Sequence, residues 1–222
     1  LDEKIVYEML NPKYLAYNYH IFFGPEIQPF INNLVIKKLL SKNKTIINQI
    51  LQEIPRNYDE KRRNAQNDSD LCQLIQKDMI EEFIIYVNKT DCSLNLTIDQ
   101  SIFETNSFLL KKFSLERKIS LIEYATFFGS IQIFKYLITY HVELTSSLWI
   151  YAIHGNNPEI INILEEKDIK PEDNTYAKCF IESIKCHHID ISKYIINNYF
   201  QNYKNYLSNC FKYYNFVFIN NE

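Results

Sequence analysis

The sequence predicts an all-α protein built from helix pairs that stack on one another as a solenoid. The first observation is composition: the 222 residues include only 3 Gly and 6 Pro, whereas 46% are hydrophobic. Chains rich in tight turns use Gly and Pro more often, so this composition favours helices over a turn-rich β fold. The second observation is an internal repeat in residues 120–195. A repeat of this length indicates a solenoid, because one short helical unit cannot bury both of its faces alone.

The repeat is defined by apolar and small residues that recur at a fixed spacing. Four residues recur 27 positions later: Ser120, Leu121, Tyr124 and Ala125 return as Ser147, Leu148, Tyr151 and Ala152. A third copy lies 31 positions further on, where Ile160 and Leu164 return as Ile191 and Ile195. A weaker first copy precedes them. The predicted repeat domain therefore spans 67–202, with units at about 71–87, 120–145, 147–171 and 178–200, an insertion at 88–118, and a degenerate last helix pair at 203–222.

Residues 1–66 are predicted to form a helical segment that caps the repeats. Apolar residues recur at helical spacing in 5–10, 30–40 and 46–54. By contrast, 56–70 contain almost nothing apolar and are predicted to be an exposed loop. The basic run Lys61, Arg62 and Arg63 is flanked by acidic residues, which favours a solvated turn over a nuclear-import or phosphate-binding patch.

Each unit has turn and capping signals between two helical patterns. Gly129-Ser130 separates helices at 121–128 and 132–139. In the next unit Asn157 is a natural N-cap, Pro158 fits the first helical position, and Glu159 suits the positive end of the helix dipole. The insertion is long for a structureless loop, and a short helix is predicted within 101–112.

These units resemble the ankyrin repeat, whose pattern runs T-P-L-H-x-A-A-x-x-G-H-x-E-I-V-x-L-L-L-x-x-G-A-D-V-N. Residues 120–125 stand at T-P-L-H-x-A, 129–133 at G-H-x-E-I, and 141–145 at G-A-D-V-N. The chain departs from the pattern where His141 and Asp168 replace the Gly after the second helix. Both types tolerate a left-handed backbone better than most residues. The spacing of 27 instead of 33 implies that the β-hairpin finger between 120–145 and 147–171 is nearly absent.

Within ankyrin-type proteins, the chain is most similar to a family expanded in flagellate protists that carries a domain of unknown function. The phrases that carry this resemblance cover about 70–200: LCQLI, EEFIIYVNK, SIFETNSFLLKK, FFGSIQIFKYL, SLWIYAIHGNNPE and IKCHH. The resemblance implies a protein-interaction role and brings no biochemical activity.

A partner-binding face follows from the resemblance, because ankyrin repeats bind proteins through their fingers and the exposed side of the first helices. The candidate residues are Tyr124, Phe127, Phe128, Tyr151, His154, Glu182 and Lys185. For Phe127 and Phe128, packing in the core and contact with a partner remain open alternatives. Trp149 occupies a core slot of its repeat and is predicted to be buried.

Residues 179–190 hold the most metal-like cluster, comprising Cys179, Cys186, His187, His188 and Asp190. The cluster lacks the paired C-x-x-C or H-x-x-x-H spacing of zinc sites, and the two His residues occupy the turn between helices. No phosphate-binding glycine loop, G-x-S-x-G or H-E-x-x-H motif occurs in the sequence. We therefore expect no enzyme activity, cofactor or metal. The alternative is a metal- or thiol-dependent enzyme centred on Cys186–His188.

Net charge and cysteine content limit which other classes of function and cellular setting fit the sequence. The formal net charge of −3 disfavours nucleic-acid binding, including through Lys61–Arg63 and Lys111-Lys112. No apolar run reaches the ~18 residues of a membrane span. The five Cys form an odd number without a signal-peptide pattern, so a reducing cytoplasmic setting is expected. We predict a monomer that binds an unidentified protein partner.

Overall fold

The computed structural model describes residues 2–10, 22–30, 57–114, 118–172, 174–199 and 206–218. Residues 31–40 and 46–54, which carry two of the helical patterns predicted in the N-terminal segment, lie outside these residues. The chain divides into two compact units. One contains 1–68 and 100–115, and the other contains 69–99 and 116–222.

The described residues are mostly helical, which confirms the coarse prediction of packed helix pairs. In chain order the α-helices are α1 (Glu3–Met9), α2 (Gly24–Ile27), α3 (Tyr58–Asn64), α4 (Asp70–Gln76), α5 (Ile80–Thr90), α6 (Ser107–Ser114), α7 (Leu121–Phe128), α8 (Ile131–Thr139), α9 (Leu148–Gly155), α10 (Pro158–Glu166), α11 (Ala177–Lys185), α12 (Ile189–Tyr199) and α13 (Tyr206–Lys212). Short 3-10 helices follow at Gln28–Phe30 and Phe216–Phe218. Two strands, β1 (Thr97–Ile98) and β2 (Ile119–Ser120), pair antiparallel with Thr97 opposite Ser120.

In the first unit, the prediction of an exposed loop at 56–70 is wrong for α3. Tyr58 is only 6% exposed, and its hydroxyl donates to the Phe22 carbonyl over 2.7 Å. The helix has acidic residues in its first turn and basic residues in its last turn, an order that complements the helix dipole. The apolar pattern alone missed α3, because its stability comes from end charges and one buried ring.

The second unit contains the predicted helix pairs α4–α5, α7–α8, α9–α10 and α11–α12, followed by α13. We call the first member of each pair, together with α13, a first helix. First helices contact one another in chain order: α7 lies against α4 and α9, α9 against α11, and α11 against α13. The second helix α8 likewise contacts α5 and α10. The largest fully buried side chains include Trp149, Tyr124, Tyr151, Phe83, Phe134 and Phe180, so the core of this unit lies between its helices.

The turns repeat one backbone device, a single left-handed residue. Between the two helices of a pair it is Asp78, Gly129, Asn156 or His187. After the second helix it is Asp91, His141 or Asp168. The left-handed conformation expected of His141 and Asp168 is confirmed, with φ of 60° and 53°. Because Asn, Asp and His tolerate this region, the chain needs a glycine at only one of these turns.

Polar side chains in the turns also connect each pair to the one before it. Asp78 accepts hydrogen bonds from the Gln132 and Ile133 amides, both at 3.0 Å, and so caps α8 from the preceding pair. Asn157 caps α10 as predicted, accepting from the Glu159 amide at 3.0 Å. Its Nδ2 donates to the Gly129 carbonyl at 2.9 Å. Successive pairs are therefore held in register by hydrogen bonds as well as by apolar packing.

The connections differ from one pair to the next. Residues 140–147, all of them described, contain no strand, so no hairpin lies between α8 and α9. The insertion contains α6, which confirms the short helix predicted there. Its flanks pair as β1 and β2, a contact that the all-α prediction did not include.

Candidate functional site

Two aromatic residues of the predicted partner-binding face belong to the core. Tyr124 and Tyr151 are both 0% exposed. The Tyr124 hydroxyl accepts a hydrogen bond from Gln76 Nε2 of the preceding first helix at 2.8 Å. The prediction that Tyr124 and Tyr151 lie on the exposed side of the first helices is therefore corrected. The packing of neighbouring first helices buries them.

Phe127 and Phe128, for which core packing and partner contact were both open, differ in burial. Phe127 is 8% exposed and counts with the core, whereas Phe128 is half-buried. The Phe127 ring stacks on the His154 imidazole, with centroids 5.1 Å apart and an interplanar angle of 30°. Phe127 therefore orients the histidine of the next first helix.

The remaining candidates lie close together across α9 and α11. His154 Nε2 lies 2.9 Å from Glu182 Oε1, and Lys185 Nζ lies 2.7 Å from the same oxygen. Their side chains are 11%, 18% and 37% exposed respectively. We use the name first-helix row for Phe127, Phe128, His154, Glu182, Lys185 and Cys186, which lie on α7, α9 and α11 and at the end of α11.

Cys186 joins this row through His154. Its Sγ lies 3.4 Å from His154 Nδ1 and 4.0 Å from Nε2. An ionised carboxylate can only accept, so Nε2 carries the proton that is donated to Glu182. In the tautomer with a single proton on Nε2, Nδ1 is an acceptor and the thiol S–H can donate to it. The hydrogen bonds from the thiol through the imidazole to the carboxylate are then consistent in direction.

The electrostatics of the row favour an ionised Glu182 and a protonated thiol. Burial opposes ionisation of Glu182, but hydrogen bonds from His154 and Lys185 outweigh it and lower its pKa to about 2. Burial and the neighbouring Glu182 charge raise the pKa of the Cys186 thiol to about 11. Cys186 also lies at the C-terminus of α11, where the helix dipole disfavours an anion. The thiol is therefore a weak nucleophile at neutral pH, since the thiolate is the reactive form.

The cluster predicted around 179–190 does not assemble. Cys179 is 0% exposed, and His187 is exposed in its left-handed turn. His188 Nδ1 donates to the Ile153 carbonyl at 2.7 Å, so this side chain connects α9 and α12 structurally. Within the described residues, the one group of His, Cys, Asp and Glu that could hold a metal ion is His154, Glu182 and Cys186.

The partnership of His154 with Cys186 was missed from the sequence, although a signal for it existed. The offset of 31 between these units matches His154 with Lys185, and Glu182 lies three residues before Lys185 on the same face of α11, so Glu182 is on the face that meets His154. Glu182 and Cys186 are four residues apart and therefore share one helix face. Applied to polar side chains, the repeat spacing brings all three together.

The structure also shows the surroundings of Trp149 and of the basic run Lys61–Arg63. Trp149 is 0% exposed, which confirms its burial, and its Nε1 donates to the Ile169 carbonyl at 2.6 Å. In the first unit, Lys61 pairs with Asp68 at 2.8 Å and Arg62 with Glu26 at 2.6 Å. Two cations of the basic run are thus already paired with carboxylates. The side chains of Lys111 and Lys112 lie outside the described residues.

Comparison with known proteins gives one family match. Residues 140–220 match a family described as a domain of unknown function (DUF3447), a stretch that runs from the end of α8 to just past α13. Neither the curated proteins nor the solved structures yielded a match to the chain. Across the described residues, every helix is too short or too polar to cross a membrane.

Proposed function

We propose that the chain is a non-enzymatic protein-interaction module made of ankyrin-like helix pairs. The observation that supports it is the packing order of the second unit, in which first helices contact first helices and α8 contacts α5 and α10. An array built this way presents a continuous side made of matching positions from successive units, the kind of surface that repeat proteins use for binding. Membership of the protist ankyrin-type family is part of this proposal and rests on the sequence resemblance, while the family match at 140–220 is to a domain of unknown function.

The proposed contact surface is the accessible part of the first-helix row. Phe128, His154, Glu182 and Lys185 are half-buried, so each keeps some surface for a partner. The row changes in character along its length, from an aromatic ring on α7 to a charged pair on α11. We therefore propose as partner a protein segment that sets an apolar side chain against Phe128 and polar side chains against His154 and Lys185.

The alternative, an enzyme that uses Cys186, has weaker physical support. A cysteine nucleophile needs a lowered pKa and an adjacent base. Here the base is present as His154, but burial and Glu182 raise the pKa of the thiol to about 11. Of the two other histidines that the alternative invoked, His187 is exposed and His188 Nδ1 donates to the Ile153 carbonyl.

Site-specific photo-crosslinking in the source cell tests the interaction proposal. A photoreactive residue at Phe128 or Lys185 should capture the same protein, and capture should fall when unlabelled wild-type chain competes. The matched control is the exposed Lys193 on the second helix α12, which should not capture it. The proposal fails if Lys193 captures the same protein equally well, or if unlabelled Phe128→Ser, Lys185→Glu chain competes as well as wild type.

A further inference from the structure

We propose that His154, Glu182 and Cys186 form a binding site for one divalent metal ion, with Zn²⁺ preferred. The inference is independent of partner binding. It rests on three side chains of different donor type that converge from two successive first helices. Each offers one ligand atom, and these atoms all lie within 4.8 Å of one another.

The helices fix the three positions. His154 lies in the last turn of α9, and its ring plane is set by stacking on Phe127. Glu182 and Cys186 lie four residues apart on α11 and at its C-cap, on one face. The backbone thus brings the ligands together before any ion arrives, which lowers the entropic cost of forming the site.

Two of the three ligand separations lie within about half an ångström of those of a tetrahedral ion. With bonds of about 2.3 Å to sulfur and about 2.1 Å to nitrogen and oxygen, tetrahedral geometry needs N···S of about 3.6 Å and N···O of about 3.4 Å. The observed separations from His154 Nε2 are 4.0 Å to Cys186 Sγ and 2.9 Å to Glu182 Oε1. Shifts of about half an ångström bring these two pairs to ligand spacing. Cys186 Sγ and the Glu182 carboxylate, which lie within 4.8 Å of each other, must approach to about 3.6 Å, and rotation of the two side chains supplies that movement.

The donor set selects the metal. A thiolate, an imidazole and a carboxylate together suit Zn²⁺, whereas Mg²⁺ and Ca²⁺ prefer oxygen ligands alone. On binding, the thiol proton is released to solvent and the imidazole proton moves to Nδ1, so that Nε2 can ligate. The three side chains remain partly exposed, which leaves the fourth position to water.

Lys185 is a competitor built into the site. Its ammonium group lies 2.7 Å from the Glu182 oxygen that the ion would use. A metal ion must therefore displace a cation that already neutralises this carboxylate. Removing the ammonium group should tighten metal binding, an effect opposite to that expected of a structural salt bridge.

Cobalt substitution and zinc calorimetry on the full chain, stripped of metal with a chelator, test the site. We expect one Co²⁺ per chain, with a thiolate charge-transfer band and the intense visible bands of four-coordination, and displacement of Co²⁺ by Zn²⁺. Cys186→Ser should abolish the charge-transfer band, and His154→Gln should weaken binding at least about tenfold. Cys92→Ser, which changes a thiol outside the cluster, and His187→Gln should leave both unchanged.

The variant Lys185→Met serves as a control for misfolding, because tighter metal binding cannot result from an unfolded chain. We expect it to bind Zn²⁺ about threefold to tenfold more tightly than wild type. The inference is overturned if wild type and Lys185→Met bind no stoichiometric metal. It is also overturned if binding persists in Cys186→Ser with His154→Gln, because the ion then lies elsewhere.

Discussion

A close approach of two helices beside the first-helix row gives the sharpest structural prediction. Gly155 ends α9 and faces the start of the turn after α7. A Cβ at Gly155 would lie far inside contact distance of the Thr126 carbonyl oxygen and 2.9 Å from the Gly129 amide nitrogen. Both groups are backbone, so neither can rotate away. The substitution Gly155→Ala should therefore force α7 and α9 apart.

The magnitude follows from two opposing effects. In an ordinary helix, Ala is more favourable than Gly by about 1 kcal/mol. Here the helices must separate by about 1 Å, which forfeits packing along their interface; because both contacted groups are backbone, the cost should reach or exceed the upper end of the usual overpacking range, about 3 kcal/mol or more. The net loss in the free energy of unfolding should be about 2–4 kcal/mol, equivalent to a fall in Tm of about 5–15 °C.

Urea unfolding followed by the fluorescence of Trp149, the single Trp of the chain, measures this loss in the second unit. The control is Asn162→Ala at an exposed position of α10, where Ala should be neutral or slightly stabilising. If Gly155→Ala is as stable as wild type, the close approach of α7 and α9 is wrong. The stacking of Phe127 on His154, which spans α7 and α9, would then lose its support as well.

Three further substitutions probe the polar contacts of the second unit. Hydrogen bonds lower the pKa of Glu182 from 4.5 to about 2 in the folded chain, so the ionised carboxylate stabilises the fold above about pH 4.5. The free energy of unfolding should fall by up to about 3 kcal/mol as the pH drops from there to about 2. Glu182→Gln should remove this pH dependence. Ser147→Ala removes a donor 2.7 Å from the buried Glu123 carboxylate and should cost about 1–2 kcal/mol in urea unfolding followed by circular dichroism, whereas Ser147→Thr should retain most of the stability. Trp149→Phe removes the donor to the Ile169 carbonyl and some buried volume. The free energy of unfolding, measured by the same assay, should fall by about 2–3 kcal/mol. An unchanged urea midpoint would contradict the buried hydrogen bond.

Helix positions were predictable where local signals coincide with the repeat. Asn157, Pro158 and Glu159 gave the start of α10, because capping and the helix dipole act within one turn. The helix α3 was missed, since its signal lay in the order of charges and one buried tyrosine instead of an apolar face. The pairing of β1 with β2 was also missed, because a two-residue ladder leaves almost no pattern in a sequence.

The candidate site was predicted less well than the helices that carry it. His154, Glu182 and Lys185 were named as surface residues, and they do lie together. Tyr124 and Tyr151 were assigned to the same surface but are fully buried. A helix periodicity shows which residues share a face, but it does not show how closely the next helix covers that face.

The sequence by itself determined the helix pairs, their order and the turns between them, because helix propensity, capping and left-handed turn residues act over a few positions. Only the tertiary structure decided which side chains meet across pairs. Cys186 contacts His154, which lies 32 residues away in the sequence, and not the neighbouring His187. The physical reason is that adjacent residues diverge on a helix or turn, whereas residues on the facing sides of packed helices converge. The first-helix row, and the metal site proposed within it, therefore follow from the contact between α9 and α11.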